Sequence, residues 1–370
     1  MKKSNSKILI IGANGFIGKN LSLYLALKKG IEVIESKSKK GRLIPKNCSP
    51  DFIINLAGVN RPKTNEGFHD NYKIVKKLNK EIESLYKKPS VVLVSSTQAI
   101  LKNPYGISKL KAENIFIDCS KKLNFTPYVL RLPNIFGKWC KPNYNSVVAT
   151  FCHNLLQNKP LNVNYREEPL KLLYIDDLCQ QIYKLIKKQP DETYPEIQKI
   201  HTISLDRLAR ILNSFKGNEE SKLQPASGNG IKRKLYATFI SYKDQHNATE
   251  DLLVNKDNRG EFVEVFKTNN YGQVSYFTSK PGITRGMHFH HTKVEKFLII
   301  SGKARFDFQR KYDGKSFSVT LSEKDNKLVY SIPGWTHSVT NTGKVELKAL
   351  LWSSEVFNPS KPDTFSSEIT

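Results

Sequence analysis

Residues 7–18 read KILIIGANGFIG, an apolar run of strand length followed by three glycines spaced three residues apart. Beyond this run Ile17, Leu21 and Leu25 recur every four residues, which places them on one face of a helix. A strand, a glycine turn and a helix in this order form the setting in which a helix N-terminus binds a pyrophosphate. Glycines in an ordinary tight turn are the alternative, and the flanking strand and helix disfavour it. The stretch therefore predicts the first unit of a nucleotide-binding sheet.

The alternation of strands and helices continues well beyond this stretch. Apolar runs of strand length lie at residues 31–34, 52–56, 91–94 and 128–132, and helical patterns lie at 71–85, 104–123, 146–157 and 176–188. Strands that alternate with helices imply a parallel sheet with right-handed crossovers. We therefore predict an α/β domain of the Rossmann type, with a doubly wound parallel sheet.

The pattern changes near residue 243. Short alternating runs then dominate, at residues 272–277, 295–300, 304–308, 317–321, 329–332 and 347–351. Such runs are typical of an all-β barrel. We predict two domains, the α/β domain over residues 1–244 and the barrel over 245–370, and we expect a polar surface loop at 217–230.

The net charge of the chain indicates which kinds of molecule it binds. A formal net charge of +25 calls for a partner of negative charge, either nucleic acid or an anionic small substrate. The lysines are scattered in ones and twos, and the sequence has no zinc-knuckle, RNP or helix-turn-helix signature. Phosphate-bearing small ligands are the better explanation, and we expect no nucleic-acid partner.

The cysteines and apolar runs indicate the compartment. The 5 cysteines form no CxxC pair, a usage typical of a reducing compartment. The apolar core near the N-terminus covers only residues 8–11, too short for a signal peptide, and no apolar run approaches the roughly 18 residues of a membrane helix. We therefore expect a soluble, cytoplasmic protein without a membrane partner.

A second motif suggests hydride chemistry. Pro104 can start a helix, on which Tyr105 and Lys109 lie one turn apart on the same face. A nearby ammonium lowers the pKa of a tyrosine, which can then exchange a proton with a sugar oxygen while hydride moves at the attached carbon. Upstream, Thr97 and, as second choice, Ser96 end a strand where a hydroxyl could hold the reacting oxygen.

These motifs together resemble the extended short-chain dehydrogenase/reductase (SDR) family, whose members mostly act on nucleotide sugars. The resemblance implies that Thr97, Ser96, Tyr105 and Lys109 are catalytic. It implies a cofactor site made of Gly12, Asn14, Gly15, Phe16, Ile17, Gly18, Lys37, Leu56, Ala57, Gly58, Tyr105 and Lys109.

Two departures from the family pattern indicate which reaction is catalysed and which cofactor is used. Dehydratases of the family carry an acidic pair directly after the Ser/Thr, whereas Gln98 and Ala99 follow here, which argues against 4,6-dehydration. Glu35 would suit the ribose 2′-hydroxyl of NADH, whereas Lys37 and its neighbours Ser36, Lys39 and Lys40 would suit a 2′-phosphate. We favour NADPH and leave NADH open.

The histidines concentrate in residues 282–302, which read GITRGMHFHHTKVEKFLIISG. His288 and His290 lie two apart and would share one face of a strand, while Glu295 follows and His337 lies downstream. Two imidazoles, a carboxylate and a further histidine form a ligand set for Zn²⁺ or another divalent metal. Surface histidines on a strand are the alternative, which a cluster of this kind disfavours.

The same stretch resembles the first motif of the cupins, which are small jelly-roll barrels. The first motif is matched by Gly282, His288, His290, Glu295 and Gly302, and the second by Gly334, His337 and Asn341. The resemblance implies a metal-binding cupin barrel. Whether the metal is catalytic or structural stays open, because three protein ligands plus water would favour catalysis and four would favour a structural role.

Longer stretches resemble the CapF-type capsular polysaccharide enzymes over nearly the whole chain. They read NLAGVNRP at residues 55–62, NPYG at 103–106, PNIFGKWCKPNYNS at 133–146 and FNP at 357–359. The resemblance implies a UDP-2-acetamido-2,6-dideoxy-4-ketohexose substrate on the route to UDP-N-acetyl-L-fucosamine, and we expect a homodimer. Candidate substrate contacts are Arg131, Asn134, Lys138, Trp139 and Lys141 in the first domain, with Arg285, His291 and Lys296 at the barrel mouth.

The chemistry of such a substrate fixes the order of two steps. A proton next to a ketone is acidic, so the centre at C3 can invert only before the C4 ketone is reduced. We therefore predict epimerisation in the cupin, then NADPH-dependent reduction in the first domain, giving UDP-N-acetyl-6-deoxy-L-talosamine. The alternative is one activity in the first domain, with the cupin as a binding or dimerisation module.

Overall fold

The structure is a computed structural model that describes residues 5–36, 41–163, 168–220, 223–225, 229–244, 248–251, 254–257, 260–263, 267–268, 272–355 and 360–370. The chain divides into two compact units. The first unit comprises Met1–Ile135 and Leu170–Thr202, and the second comprises Phe136–Pro169 and Ile203–Thr370. The domain boundary predicted between residues 244 and 245 stays a prediction.

A parallel sheet with helices forms the first unit. In chain order the elements are β1 (Ser6–Ile11), α1 (Phe16–Ala26), β2 (Ile31–Ser36), β3 (Phe52–Asn55), α2 (Asp70–Glu83), β4 (Ser90–Ser96), α3 (Pro104–Leu123), β5 (Pro127–Leu132), β6 (Asn134–Phe136), α4 (Val147–Leu156), β7 (Leu170–Tyr174), α5 (Ile175–Lys188) and β8 (His201–Ile203). Of these, α4 belongs to the second unit. Short 3₁₀ helices lie at Asn65–His69 and Thr97–Ile100, and β6, β7 and β8 form a small sheet.

The main sheet has the order β2-β1-β3-β4-β5, and each neighbouring pair is parallel. Ile8, Leu9 and Ile10 are fully buried because parallel strands are covered on both faces. The chain moves outward from β1 to β2 and returns to the other side of β1 for β3. The carboxyl ends of β1 and β3 therefore form the switch point at which doubly wound sheets bind ligands.

The second unit combines helices with antiparallel sheets. Its remaining elements are α6 (Leu205–Glu220), β9 (Leu223–Gln224), α7 (Gly230–Ile240), β10 (Thr249–Asp251), β11 (Val254–Asp257), β12 (Gly260–Val263), β13 (Lys267–Thr268), β14 (Gln273–Ser279), β15 (Thr284–Phe289), β16 (Glu295–Ser301), β17 (Lys303–Arg310), β18 (Ser316–Ser322), β19 (Lys327–Tyr330), β20 (Trp335–Asn341), β21 (Leu347–Ser353) and β22 (Phe365–Ser366). The expected loop at 217–230 is wrong at its start, because α6 continues to Glu220.

Two five-stranded antiparallel sheets carry the β-rich half, in the orders β10-β19-β16-β21-β14 and β18-β17-β20-β15-β22. One core joins them, in which Phe297 and Ala349 of the first sheet pack with Phe306 and Phe308 of the second. This arrangement confirms the predicted α/β plus all-β fold class. Within the described part of the chain, no helix has the length and apolar character needed to cross a bilayer.

Candidate active sites

The glycine turn lies at the switch point of the parallel sheet. Gly12 has a φ of +85°, and a Cβ at Gly18 would lie 2.3 Å from the Gly12 carbonyl oxygen, so only glycine lets α1 begin this close to β1. Gly15 is the N-cap of α1 and is exposed together with Asn14, while Phe16 and Ile17 are half-buried. The N-terminus of α1 therefore presents its free N–H groups beside an open turn, as a pyrophosphate requires.

The loop after β3 lies against the same turn. A Cβ at Gly12 would meet the backbone of Leu56 and Ala57 at 3.1 and 3.0 Å, and Gly58 lies beside Asn71. The Asn71 side chain accepts a hydrogen bond from Val59 N at 2.8 Å and donates one to Ser108 Oγ at 3.0 Å, so it ties this loop to α3. Asn71 was missed in the sequence, where an asparagine at the start of a predicted helix is typical of a helix cap. Lys37, predicted at the cofactor, lies outside the described residues.

Local sequence sets the start of α3, which carries Tyr105 and Lys109. The Asn103 side chain caps the helix by accepting a hydrogen bond from Gly106 N at 2.7 Å, and Pro104 is its first residue. A Cβ at Gly106 would lie 2.1 Å from the Gln98 carbonyl oxygen, so glycine lets α3 approach the turn that follows β4. This approach brings Tyr105 to the end of β4, next to Ser96.

The polar groups of this site have protein partners. The Tyr105 hydroxyl donates to Asn60 Oδ1 at 3.2 Å, and Lys109 Nζ donates to the Val94 carbonyl at 3.0 Å. Ser96 Oγ accepts from Gln98 N at 3.2 Å and also interacts with Tyr105, whereas the Thr97 side chain is exposed. The structure therefore links Ser96 rather than Thr97 to Tyr105, and the choice between the two hydroxyls stays a proposal.

Burial controls protonation at this site. It lowers the pKa of Lys109 to about 8, against the opposing effect of the Glu113 carboxylate. It also raises the pKa of Tyr105, although a hydrogen bond with Ser96 acts in the opposite direction. The expected lowering of the Tyr105 pKa by the Lys109 ammonium is therefore wrong for the protein alone, since desolvation of the phenolate dominates.

Arg131 forms an ion pair that the sequence did not reveal. Its guanidinium donates to both oxygens of the fully buried Glu113, with Nη2 to Oε2 at 2.5 Å, and Ser95 Oγ donates to the same carboxylate at 2.5 Å. The pair raises the pKa of Arg131. Because Arg131 already has a carboxylate partner, its contact with a substrate phosphate stays a prediction.

The remaining candidates in the 133–146 stretch differ in exposure. Lys138 is buried, with Nζ 5.5 Å from the centre of the Trp139 ring, whereas Asn134 and Lys141 are exposed. Trp139 packs edge-on against Tyr312 at 4.9 Å between ring centres. This contact favours a packing role for Trp139, and its stacking on a sugar or base stays a prediction.

The second site is the predicted histidine–carboxylate cluster. Ligand atoms of His288, His290, Glu295 and His337 all lie within 4.8 Å of one another. His288 on β15 pairs directly with His337 on β20, and Glu295 begins β16. Nε2 of His290 and Nε2 of His337 lie 3.2 and 3.6 Å from Glu295 Oε2. The structure therefore brings together all four residues that the spacing predicted.

The buried nitrogens of this cluster suit a cation. Among the described residues, His290 Nε2 and both ring nitrogens of His337 find no hydrogen-bond partner of good geometry. The other nitrogen of His290, Nδ1, lies 2.5 Å from the Asp363 carbonyl oxygen. When the ring is neutral, a proton on Nδ1 for that hydrogen bond leaves the Nε2 lone pair directed at the cluster, the tautomer that a metal needs.

Protonation in the cluster also suits a metal. Burial lowers the pKa of His288 to about 4, and the neighbouring imidazoles of His337 and His290 add to this effect. Burial lowers the pKa of His337 as well. Burial alone would raise the pKa of Glu295, but His290 and His337 outweigh it and hold that pKa well below its usual range. The neutral His288 and His337 imidazoles that these lowered pKa values favour, beside an ionised carboxylate, are the state in which such groups bind metal.

The predicted residues at the barrel mouth do not join the cluster. Arg285 is exposed and donates to the Thr278 carbonyl at 2.6 Å. His291 is buried against Phe289 and Phe365, and Lys296 is buried with Nζ 4.4 Å from the centre of the Tyr330 ring. Each of the two buried residues is next in sequence to a candidate ligand, His291 to His290 and Lys296 to Glu295. Because successive side chains of a strand point to opposite faces, Lys296 lies on the face of β16 opposite to Glu295. Substrate contacts by these three residues stay predictions.

The fold and the first site define an NAD(P)-dependent oxidoreductase of the SDR type, and comparison with known proteins agrees. Residues 8–198 match the model of the NAD dependent epimerase/dehydratase family. Residues 255–365 match the model of the polysaccharide biosynthesis C-terminal domain.

Relatives match the chain over nearly its whole length. The UDP-2-acetamido-2,6-beta-L-arabino-hexul-4-ose reductase of Pseudomonas aeruginosa is 38% identical over 98% of this chain and 99% of its own length. The crystal structure of the capsular polysaccharide assembling protein CapF from Staphylococcus aureus is 36% identical, with a TM-score of 0.63, over 98% of this chain and 100% of its own. A more distant structure, RMD of P. aeruginosa complexed with NADPH, is 18% identical over 58% of this chain and 84% of its own, with a TM-score of 0.51, and shares the fold.

The chain therefore belongs to the NAD dependent epimerase/dehydratase family and, within it, to the CapF-type enzymes that carry a polysaccharide biosynthesis C-terminal domain.

Proposed function

We propose that this chain is a bifunctional nucleotide-sugar enzyme of capsule or O-antigen polysaccharide synthesis. It epimerises C3 of a UDP-2-acetamido-2,6-dideoxy-4-ketohexose in its cupin and then reduces the C4 ketone in its SDR domain, giving UDP-N-acetyl-6-deoxy-L-talosamine. The observation that carries the proposal is the match to a UDP-hexulose 4-keto reductase over 98% of the chain, a span that includes both sites. The proposed domains are residues 1–244 and 245–370.

In the reductive step Tyr105 is the proton donor to the C4 oxygen. The Gly12–Gly18 turn would hold the pyrophosphate of a reduced nicotinamide cofactor, which would supply the hydride to C4. The Tyr105 proton completes the alcohol, and the Lys109 ammonium limits the cost of the phenolate left behind. Ser96 or Thr97 holds the ketone oxygen before the transfer. We propose NADPH as the cofactor, with NADH as the alternative.

In the epimerisation step a base removes the C3 proton and the centre is reprotonated on its opposite face. The site that we assign to this step contains His288, His290, Glu295 and His337 as the residues that would hold Zn²⁺ or another divalent metal. A bound metal supplies Lewis acidity toward the ketone oxygen, or it acts as a structural clip. The order of steps follows from the ketone, which makes the C3 proton acidic and disappears on reduction.

The proposal has one direct test. The purified chain is supplied with the 4-ketosugar and NADPH in deuterated water, and the product is identified by mass spectrometry and NMR. We expect consumption of reduced nicotinamide and one deuterium at C3. A flat absorbance at the reduced-nicotinamide band would rule out the reductase, and a product without deuterium would rule out epimerisation.

A second reading makes the cupin a binding or dimerisation module and the SDR domain the only enzyme. The close set of four protein ligands favours it, because a tetrahedral metal with four protein ligands has no open position. A 1–244 fragment that formed the same deuterated product as the full chain would support it. We also propose a cytoplasmic homodimer, which sedimentation of the full chain tests.

A further inference from the structure

A carboxyl-terminal segment, residues 363–366, lies against the loop that joins two of the proposed metal ligands. We call residues 363–366 the latch segment. Its first residue, Asp363, accepts hydrogen bonds from three consecutive backbone N–H groups of the loop, those of His291 at 2.8 Å, Thr292 at 2.5 Å and Lys293 at 2.6 Å. It also accepts one from the Thr292 hydroxyl at 2.8 Å. One carboxylate thus fixes the course of the loop between His290 and Glu295.

The main chain of the same residue contacts a ligand directly. The Asp363 carbonyl oxygen lies 2.5 Å from His290 Nδ1, the ring nitrogen on the side away from Glu295. A carbonyl accepts but never donates, so this contact requires a proton on Nδ1, and in the neutral ring Nε2 then carries the lone pair that a metal binds. The position of Asp363 therefore sets both the tautomer and the direction of the His290 ring.

Further contacts hold the latch segment in place. Strand β22 pairs with β15, with Ser366 opposite His288, and Lys293 Nζ donates to Thr364 Oγ1 at 2.6 Å. On the other side of the loop, Arg233 Nη2 donates to Thr292 Oγ1 at 2.7 Å. The loop is therefore held from two sides by residues that are not themselves candidate ligands.

We propose that Asp363 is a positioning residue for the metal site: it fixes the His290 tautomer and the loop that spaces His290 from Glu295. The inference rests on the proposed metal site and adds a residue more than 20 positions beyond the last candidate ligand, His337. Without the carboxylate, three neighbouring N–H groups lose their acceptor and the loop must rearrange to satisfy them. Because the loop ends at two ligands, its rearrangement moves both.

Two variants and one control test the proposal in the full-length protein. Asp363→Ala removes all four hydrogen bonds, whereas Asp363→Asn keeps one oxygen, which can stay at the Oδ2 position that takes three of them. The control is Asp325→Ala, since Asp325 accepts from Ser322 N and Oγ in a turn, both at 2.8 Å, but contacts none of the candidate ligands. Zinc affinity is measured by competition with a chromophoric chelator, and ligand geometry by the visible spectrum of the Co²⁺-loaded protein.

We expect Asp363→Ala to raise the Zn²⁺ dissociation constant by about 10- to 100-fold, in line with other residues that orient metal ligands. Asp363→Asn should give a smaller increase, and Asp325→Ala none. The Co²⁺ spectrum should change with Asp363→Ala and not with Asp325→Ala. Unchanged affinity and spectrum in both Asp363 variants, or equal losses in the control, would overturn the proposal.

A measurement on metal-free protein separates this inference from the metal site itself. Nitrogen-15 NMR of the histidine rings reports which nitrogen of His290 carries the proton. We expect Nδ1 protonation in the wild type and a mixture of tautomers in Asp363→Ala, because the carbonyl of residue 363 shifts away from His290 once the carboxylate no longer holds the latch segment to the loop. If the wild type binds neither Zn²⁺ nor Co²⁺, the proposed metal site fails, whereas the same His290 tautomer in both proteins contradicts the positioning role.

Discussion

The two candidate sites differ in how their buried polar groups are satisfied. At the SDR site, the Lys109 ammonium donates to the Val94 carbonyl, and the Glu113 carboxylate accepts from Ser95 and Arg131. At the cupin site, His290 Nε2 and both nitrogens of His337 are buried without a hydrogen bond of good geometry to any described residue. An unsatisfied buried polar group costs about 1–3 kcal/mol. The polar groups of the first site are thus satisfied by protein partners, whereas the second site has buried nitrogens to which the proposed cation would bind.

The largest expected effect separates the chemistry of the two sites. Tyr105→Phe removes the proton donor, and we expect the rate of NADPH-dependent reduction to fall by about 10²- to 10⁴-fold. Deuterium exchange at C3 should persist, because it belongs to the other site. Nicotinamide absorbance and NMR of the sugar measure the two activities. Tyr86→Phe, at a fully exposed tyrosine, is the control and should change neither. Loss of both activities in Tyr105→Phe would show that the sites are not separate.

Metal removal tests whether the cluster of His288, His290, Glu295 and His337 holds a cation. A metal present at about 1,000 times its dissociation constant stabilises the folded state by about 4 kcal/mol, which a chelator removes. We therefore expect chelation to lower the melting temperature of the wild type and to leave that of His337→Ala unchanged. His153→Ala, in α4, should respond like the wild type. An equal response of His337→Ala and wild type would contradict a metal at this cluster.

Breaking the ion pair of the SDR site tests how much the pairing of its buried polar groups contributes to stability. Glu113→Gln leaves the Arg131 guanidinium without its carboxylate, and we expect a loss of about 3 kcal/mol in the free energy of unfolding, because Glu113 is fully buried. The matched control is Asp70→Asn, which breaks the exposed Lys73–Asp70 pair and should cost under about 0.5 kcal/mol. Urea denaturation measures both. Equal losses would show that the buried pair contributes no more to the free energy of unfolding than the exposed pair.

The smallest expected effect is on stability, where replacement of Lys109 should raise the free energy of unfolding. Burial holds its folded pKa at about 8, below the 10.5 of the unfolded chain, so at neutral pH the folded state bears the cost of a buried ammonium. We expect Lys109→Met to raise the free energy of unfolding by about 2 kcal/mol at pH 7, after loss of the Val94 hydrogen bond.

The sign of the pH dependence follows from the same shift. Between pH 8 and 10.5 the folded wild type has released the Lys109 proton that the unfolded chain still binds, so wild-type stability rises with pH in this window. The advantage of Lys109→Met should therefore shrink from pH 8 upward and stay constant below it. Parallel unfolding curves at pH 7 and 9.5 measure this difference. An advantage that grew with pH would contradict the lowered pKa.

Much of the fold could be predicted from local sequence. The helix expected at residues 104–123 has those bounds in the structure, because Asn103 caps its start and Asn124, in the left-handed conformation, ends it. The candidate ligands His288 and His290 were also predicted from their spacing, although the strand that carries His288 ends at Phe289. His337 joins them through the pairing of β15 with β20, which the spacing does not show.

The partners of these residues could not be predicted, because they depend on long-range contacts. Asp363 reaches the His290 loop from more than 70 residues away, and no local pattern marks it. The Glu113–Arg131 pair joins α3 to β5, whereas the sequence predicted Arg131 as a substrate contact and indicated no role for Glu113. The pKa of Tyr105 was predicted in the wrong direction for the same reason, since burial is a property of the tertiary structure.

The pairing of His288 with His337 would give a bound metal a second effect, on folding. These residues face each other across β15 and β20, beside an irregularity between Gly286 and His288 where Met287 has a φ of +54°. A slip of one residue would turn one histidine to the opposite face and leave the ligand set incomplete. A bound metal would therefore select the native register and disfavour misaligned hairpins. Refolding with metal should then yield a larger native fraction than refolding without it, even where the final stabilities are matched.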